Sequence, residues 1–311
     1  LNTSKNTMNI PLVIYDYRVL CFLIMSTIDG NEMQTAEELI LNGHYSNKIE
    51  ELESNPALRP YLDREELVQY IKCCWAIVLN RGPNACPYQP HTAVVVDDDG
   101  KTTPYWRKQI FPTYKGNRSK KPELVLSVGQ IGLQYVNAPK STFHYFSCPG
   151  YEADDFAGAF VYLKRLNQKL PGGKPELGDR EIWLYTVDSD WMQLVGDGVT
   201  WYNTGPWEPR IRGPIETAGW ALKRLKVHIS HPSQIVDTKM KQGDKSDNLP
   251  PNTPRYMIDL MVGHPEYHLR HNLPIWRQLE LTLGSTEVNQ NLIHWGTAKR
   301  WIMRRGYRLP V

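Results

Sequence analysis

The sequence predicts an α/β protein: a central, mostly parallel sheet flanked by helices, with a smaller helical region towards the C-terminus. Three observations carry this. Short apolar or β-branched runs at Pro11–Tyr15, Thr92–Val96 and Glu181–Val187 each end in a carboxylate, at Asp16, Asp97 and Asp188. Segments with helical periodicity separate them. Strands that alternate with helices imply crossover connections and a sheet covered on both faces. Ligands of such sheets bind beyond the carboxyl ends of the strands, so the acidic ends should converge on one crevice.

In chain order, Leu1–Thr7 reads as a dispensable leader, with Met8 as the start. The apolar stretch Val19–Ile28 is about half of what a bilayer crossing needs, so no membrane is expected. Residues 62–80 place Leu67, Tyr70, Ile71, Cys74, Ile77 and Val78 at helical spacing. A Pro/Gly-rich turn, Arg81–Pro90, leads into Thr92–Val96. Residues 101–123 then hold seven Lys and Arg against one Glu, with Tyr105, Trp106, Phe111 and Tyr114 among them. Glu152–Asn167 reads as a helix that starts acidic and ends basic, the order its dipole favours. Leu170–Gly178 is a connector. After about residue 205 helical periodicity dominates, over 215–226, 254–262 and 274–303. The expected division is a catalytic core over 8–204 and a mainly helical region over 205–311.

Composition narrows the class. The 311 residues are 41% hydrophobic and 22% charged, which excludes disorder, collagen and coiled coil as whole-chain architectures. A net charge of +3 is too even to announce nucleic acid, so the placement of charge matters more. Five Cys with no disulfide spacing and no zinc-like CxxC pair suit a reducing, cytoplasmic compartment, the host cytoplasm if the chain is viral.

Nine carboxylates stand at strand ends or in short motifs: Asp16, Asp97, Glu152, Asp154, Asp155, Asp188, Asp190, Asp244 and Asp247. Glu152 and Asp155 are three apart and share a helix face. Asp188 and Asp190 flank one residue where a strand gives way to a loop, and Gly243 can supply the tight turn before Asp244. So many carboxylates cannot crowd together ionised without counter-charge. An oxygen-only set suits Mg²⁺ or Mn²⁺, and the number of acids suits two ions in a hydrolase of a phosphate-containing substrate. Asp98 and Asp99 read as turn or cap residues. In the basic segment, Arg107, Lys108, Lys115, Arg118, Lys120 and Lys121 would attract phosphates, and the interleaved rings could stack on bases.

Four blocks carry a resemblance: Phe111–Arg118, Gly150–Asp155, Thr186–Leu194 and Gly243–Asn248. In their order and spacing they resemble the 5′-nuclease family of flap endonucleases and 5′–3′ exonucleases, closest in character to bacteriophage RNase H-like members. The resemblance implies an acidic α/β core with an arch at about 108–148 that is ordered by DNA. It implies one metal group of Asp16, Asp97, Glu152 and Asp154, a second of Asp188, Asp190, Asp244 and Asp247, and Asp155 at their boundary, with Asp16 and Asp155 also counted as catalytic. Lys115 and Arg118 would steer and polarise the scissile phosphate. DNA and RNA–DNA hybrids with a free 5′ end are the implied substrates, in DNA replication and primer removal, with a single-strand-binding protein as partner and a monomeric state.

One departure stands out. The family's Gly-rich hairpin is replaced by Leu249–Arg255, with three prolines and no Gly-x-Gly. Duplex binding would then lean on Lys239, Lys241, Lys245 and Arg255. Two rival readings are a PIN-like single-strand ribonuclease and a non-catalytic protein that binds DNA structure.

Overall fold

A computed structural model describes residues 10–28, 64–80, 90–100, 103–118, 123–139, 141–169, 171–203, 211–260, 273–285 and 295–310. Six strands form one sheet: β1 (Leu12–Asp16), β2 (Thr92–Val96), β3 (His144–Phe146), β4 (Ile182–Tyr185), β5 (Val199–Tyr202) and β6 (Ile211–Arg212). Their spatial order is β3-β2-β1-β4-β5-β6, parallel except for the last pair. The chain leaves β1 for β2 on one side and returns to β4 on the other. The topological switch point therefore lies where Asp16 ends β1.

Side-chain alternation divides the core in two. Leu12, Ile14, Val94, Val96 and Leu184 face helix α5 (Ala153–Lys169). Val13, Tyr15, Ala93, Val95 and Tyr185 face α1 (Tyr17–Ile28), α2 (Arg64–Leu79) and α4 (Glu123–Val136). The sequence misses β3, β5 and β6 because they are only three, four and two residues long, too short for a period to register. It extends β4 too far, since Val187 is exposed beyond the strand end. Among the described residues no helix is long and apolar enough to cross a membrane.

One expectation needs correction. Most of the described segment 123–148 is part of the body rather than a loose cover. Val125, Val128, Tyr135 and Val136 of α4 are buried against α1 and α2, and β3 joins the sheet edge. The apolar spacing within α4 buries it. The described residues of 205–311 are mainly helical and also contribute to the sheet and the core. Strand β6 completes the sheet, helix Leu273–Leu283 packs on α5, and helix Trp295–Arg304 packs on α2 on the opposite face. Trp276 is buried beside Tyr162. Tyr70, Glu66, Arg305 and Tyr307 fasten the last helix, with the Tyr307 hydroxyl donating to Glu66 at 2.8 Å.

Candidate active site

The carboxyl end of β1 presents Asp16, which is 5% exposed. Its Oδ1 accepts from the Arg18 and Val19 amides at 3.1 and 3.2 Å and so caps α1. Its Oδ2 accepts from the Thr186 hydroxyl at 2.9 Å. Burial, then the charges of Asp98 and Asp188, push its pKa up to about 7.

Parity decides which acid after β2 joins it. Val94 and Val96 face α5, as Asp16 does at the end of Leu12 and Ile14. The next residue on that face is Asp98, not Asp97. Asp98 Oδ1 accepts from the Ala153 amide at 2.7 Å, which caps α5 and holds the carboxylate among Asp16, Glu152 and Asp154. Asp97 turns to the other face. There it pairs with Arg18 at 2.8 Å and accepts from the Tyr145 hydroxyl at 2.9 Å. The structure thus places Asp98, rather than Asp97, on the face that Asp16 and Asp154 share. The clue was in the strand register, which a run of three consecutive Asp conceals.

Helix α5 brings three acids with different surroundings. Glu152 is fully buried. It accepts from Arg107 at 3.0 Å and from the Tyr114 hydroxyl at 2.9 Å, and it pairs with Lys115. Burial is the main cause raising its pKa, with Lys115 and Arg107 opposing it. Asp154 accepts from Trp191 Nε1 at 2.7 Å, and burial plus the Asp188 charge hold its carboxyl well above the usual range. Asp155 lies underneath, bonded by Trp106 Nε1 at 3.0 Å and by both ends of the Arg107 guanidinium. Asp155 is thus a support for Arg107 rather than a group facing the crevice. Arg107 in turn is 2% exposed, so it is an internal counter-charge and not a surface contact for DNA.

After β4, Asp188 accepts from the Asp190 amide at 2.9 Å and caps the short 3₁₀ turn Ser189–Leu194. Burial raises its pKa against the pull of Lys239. Asp190 pairs with Lys239, whose ammonium also lies 2.7 Å from Asp244. Burial works against the Asp244 charge, but Lys239 and the Ser246 hydroxyl and amide hold its pKa low. Asp247 accepts from the Tyr114 hydroxyl at 2.9 Å and from Arg118 at 2.6 Å. A shallow recess is lined in part by Asp154, Asp190, Asp244 and Asp247.

The basic segment docks on the second acidic turn. The Lys115 amide donates to the Asp247 carbonyl at 2.8 Å, Asn117 to the Lys245 carbonyl at 2.9 Å, and Asn248 back to the Thr113 carbonyl at 2.8 Å. Lys115 has φ +53°, an uncommon angle for a lysine. Burial opposes its charge, but Glu152 and Asp247 hold its pKa well up. Sequence reasoning named both ends of this clasp but missed Asn117 and Asn248 as its links.

Of the other basic positions, Lys241 and Lys245 are exposed and Lys108 is half-buried. Arg255 is half-exposed and already paired, with Asp259 at 2.8 Å and Asp237 at 3.3 Å. Lys239 bridges two acids rather than standing free for DNA. Lys120 and Lys121 lie outside the described residues.

The donor set is all oxygen. After burial, the charges of Asp98 and Asp188 raise the pKa of both Asp16 and Asp154, and that crowding of charge is what a hard divalent cation would relieve. Among the described residues, however, no three His, Cys, Asp or Glu are arranged to hold a metal ion. Lys115, Lys239 and Arg118 stand between carboxylates. The oxygen chemistry of Asp16, Asp98, Glu152, Asp154 and Asp188 suits a hard divalent cation, although their side chains do not converge on one point. They do not offer an open second position at Asp190 and Asp244.

Residues 84–218 match the family model "5′-3′ exonuclease, N-terminal resolvase-like domain". The chain is 30% identical over 166 residues to DNA polymerase I of Lactococcus lactis subsp. cremoris, covering 52% of this chain and 16% of that protein. It is 29% identical over 171 residues to the flap endonuclease of Escherichia phage T5, covering 52% of this chain and 51% of that one. The chain thus spans about half the length of the phage relative and about a sixth of the polymerase. A solved structure of T5 5′-exonuclease with zinc ions bound is similar at TM-score 0.44 and 16% identity, covering 96% of this chain and 89% of that chain.

Proposed function

We propose, from a chain whose residues 84–218 match the 5′–3′ exonuclease family model, that this protein is a divalent-metal-dependent phosphodiester hydrolase. It acts on DNA or RNA–DNA duplexes with a free 5′ end, as an exonuclease, a flap endonuclease and a remover of RNA primers. The observation that carries the reading is the meeting of Asp16, Asp98, Glu152, Asp154 and Asp188 at the switch point, with Lys115 and Arg118 docked beside them.

A bound Mg²⁺ supplies Lewis-acid chemistry and activates water there. The chain's own residues do the rest. Asp16, Asp98 and Asp188, which accept from backbone amides, and Asp154, which accepts from Trp191, would hold the ion. Asp155 and Trp106 hold Arg107 under Glu152, where its charge opposes the burial that raises the pKa of that carboxyl. Lys115 and Arg118 have cationic ends beside the crevice. On exchanging a carboxylate for a phosphate oxygen they would orient the scissile group and stabilise its developing charge. A replication single-strand-binding protein is the partner this reading takes.

Cleavage of a 5′-labelled flap, with Mg²⁺ and EDTA arms, tests it. The expected result is product only with Mg²⁺, and loss of product in Asp154→Asn and Asp188→Asn. Cleavage unaffected by EDTA would overturn the reading. The second reading, a protein that binds branched DNA without cutting it, draws on the ion pairing of Glu152, Asp190, Asp244 and Asp247 with Lys and Arg. Tight flap binding with no product in Mg²⁺ or Mn²⁺ would favour it.

A further inference from the structure

The Lys115 ammonium lies between two phenol rings as well as beside two carboxylates. It pairs with Glu152 and stands 3.9 Å from Asp247. The centroid of the Tyr114 ring is 5.2 Å away and that of the Tyr105 ring 5.7 Å away. Both distances are within reach of a cation–π attraction. The two tyrosines are held differently. Tyr114 is buried, with its hydroxyl bonded to Glu152 and Asp247. Tyr105 is half-buried at the entry to the short helix Trp106–Ile110. Its ring lies against Gly100, where a Cβ would come within 2.5 Å of the ring carbon Cζ. Gly100 follows the three acids that end β2, so the seat of the ring is backbone at the crevice rim. Burial, then the charges of Asp98 and Glu152, push the Tyr105 phenol above its usual range, so the ring stays neutral. An arriving phosphate would compete with Glu152 for the ammonium. It would leave the ring faces in place, and these attract the ammonium without offering it an oxygen to bond.

We propose that Tyr105 is a positioning residue for Lys115: with Tyr114 it forms an aromatic cradle that keeps the ammonium at the crevice when Glu152 releases it to the scissile phosphate. This rests on the phosphodiester-hydrolase reading above. It adds that a ring outside the acidic set governs the rate through one lysine, and not by stacking on a base or by holding the duplex.

The test combines three measurements on the full chain: single-turnover cleavage of a 5′-labelled flap in Mg²⁺, flap binding in Ca²⁺, and the NMR signal of the Lys115 ε-methylene in protein carrying ¹³C-labelled lysine. Tyr105→Leu removes the ring and should lower the rate at saturating DNA by roughly tenfold, the scale of a partly desolvated cation–π contact, with affinity in Ca²⁺ unchanged. Tyr105→Phe keeps the ring and should restore most of the rate. Tyr105→Met serves in place of the Leu variant should that not fold, as judged by circular dichroism. In a Lys115→Ala background, Tyr105→Leu should cost nothing further. The Lys115 signal, identified by its absence from Lys115→Ala, should lie upfield in the unaltered and Phe proteins and move downfield in the Leu variant as the ring current is lost. With flap cleavage by the unaltered protein intact, a Tyr105→Leu loss that persists in full in Lys115→Ala, or that falls on affinity, would overturn the inference alone, as would a Lys115 signal that does not move. No cleavage by the unaltered protein in Mg²⁺ or Mn²⁺ would overturn the hydrolase reading and the role given to Tyr105 together.

Discussion

Arg118 Nη2 lies 2.6 Å from Asp247 Oδ1, so the basic segment and the last acidic turn are joined by charge as well as by backbone. The Tyr114 hydroxyl reaches Asp247 and Glu152 at 2.9 Å each, and the Asn117 and Asn248 amides cross in opposite directions between the two loops. The crevice is therefore assembled from parts more than a hundred residues apart. Its order depends on groups that also serve as its chemistry.

The face assignment of the two acids after β2 gives a paired outcome. Asp98→Asn should lower single-turnover cleavage by about 100-fold or more, because it alters the ionic group itself. Asp97→Asn should lower the melting temperature through loss of the Arg18 pair, with cleavage reduced by less than about tenfold. The reverse ranking would put Asp97 back in the site.

The raised pKa of Asp16 fixes a direction with pH. The folded carboxyl holds its proton up to about 7, whereas the unfolded one releases it near the ordinary value of 3.8. The folded state therefore binds more protons between these values, and this group's contribution to stability falls as pH rises from about 4 to about 7. Across that range the effect amounts to roughly 4 kcal/mol at most. In EDTA at pH 8, Asp16→Asn should melt above the unaltered protein, and the gap should shrink towards pH 4. Millimolar Mg²⁺ should stabilise the unaltered protein at pH 8 and do little at pH 4. Parallel melts of both proteins across this range check all three statements.

Gly243 has φ +76°, and a Cβ there would press on the Leu249 carbonyl and the Pro250 and Pro251 backbone. The turn it opens is closed by reciprocal Asp244–Leu249 backbone bonds of 3.0 and 2.8 Å. Gly243→Ala should cost more than about 1 kcal/mol in urea unfolding. Flap cleavage should fall further than the loss of folded protein explains, since Asp244 and Asp247 both hang on this turn.

The segment Leu249–Arg255 contains three prolines that have no amide to offer a phosphate. Binding of a nicked duplex in Ca²⁺ should therefore be the same in KCl and NaCl at equal ionic strength. Affinity should fall by about 0.9 logarithmic units per phosphate contact for each tenfold rise in salt. Lys245→Ala should weaken binding more than Arg255→Ala, because Arg255 is already paired with Asp237 and Asp259. A several-fold preference for K⁺ would show that this turn holds an ion after all.

The long elements were legible because one period ran through each: β1, β2, α2 and α5 lie within two residues of where the pattern puts them. The acids were legible as a set because strand ends announce themselves. What the sequence hid was geometry with a period of two. Asp97 and Asp98 are neighbours in the chain and opposites in space, and only the register of Val94 and Val96 tells them apart. Arg107 was misread for a related reason. Basic text looks like surface, but a guanidinium bonded to Glu152 and Asp155 can lie inside. Lys239 likewise looked like a free cation until the fold brought Asp190 to it.

Helices Leu273–Leu283 and Trp295–Arg304 close opposite faces of the sheet, and they are among the last elements in the chain. A ribosome delivers the polypeptide from the N-terminus, and domains settle as their pieces emerge. Strands β1 to β5 are therefore all out of the exit tunnel while the pockets that receive Trp276, Leu279, Ile302 and Tyr307 are still empty. A nascent chain must carry two bare apolar faces until these helices emerge. A stop codon placed just before Leu273 should accordingly produce material that chaperones retain or that aggregates, rather than a shortened soluble protein.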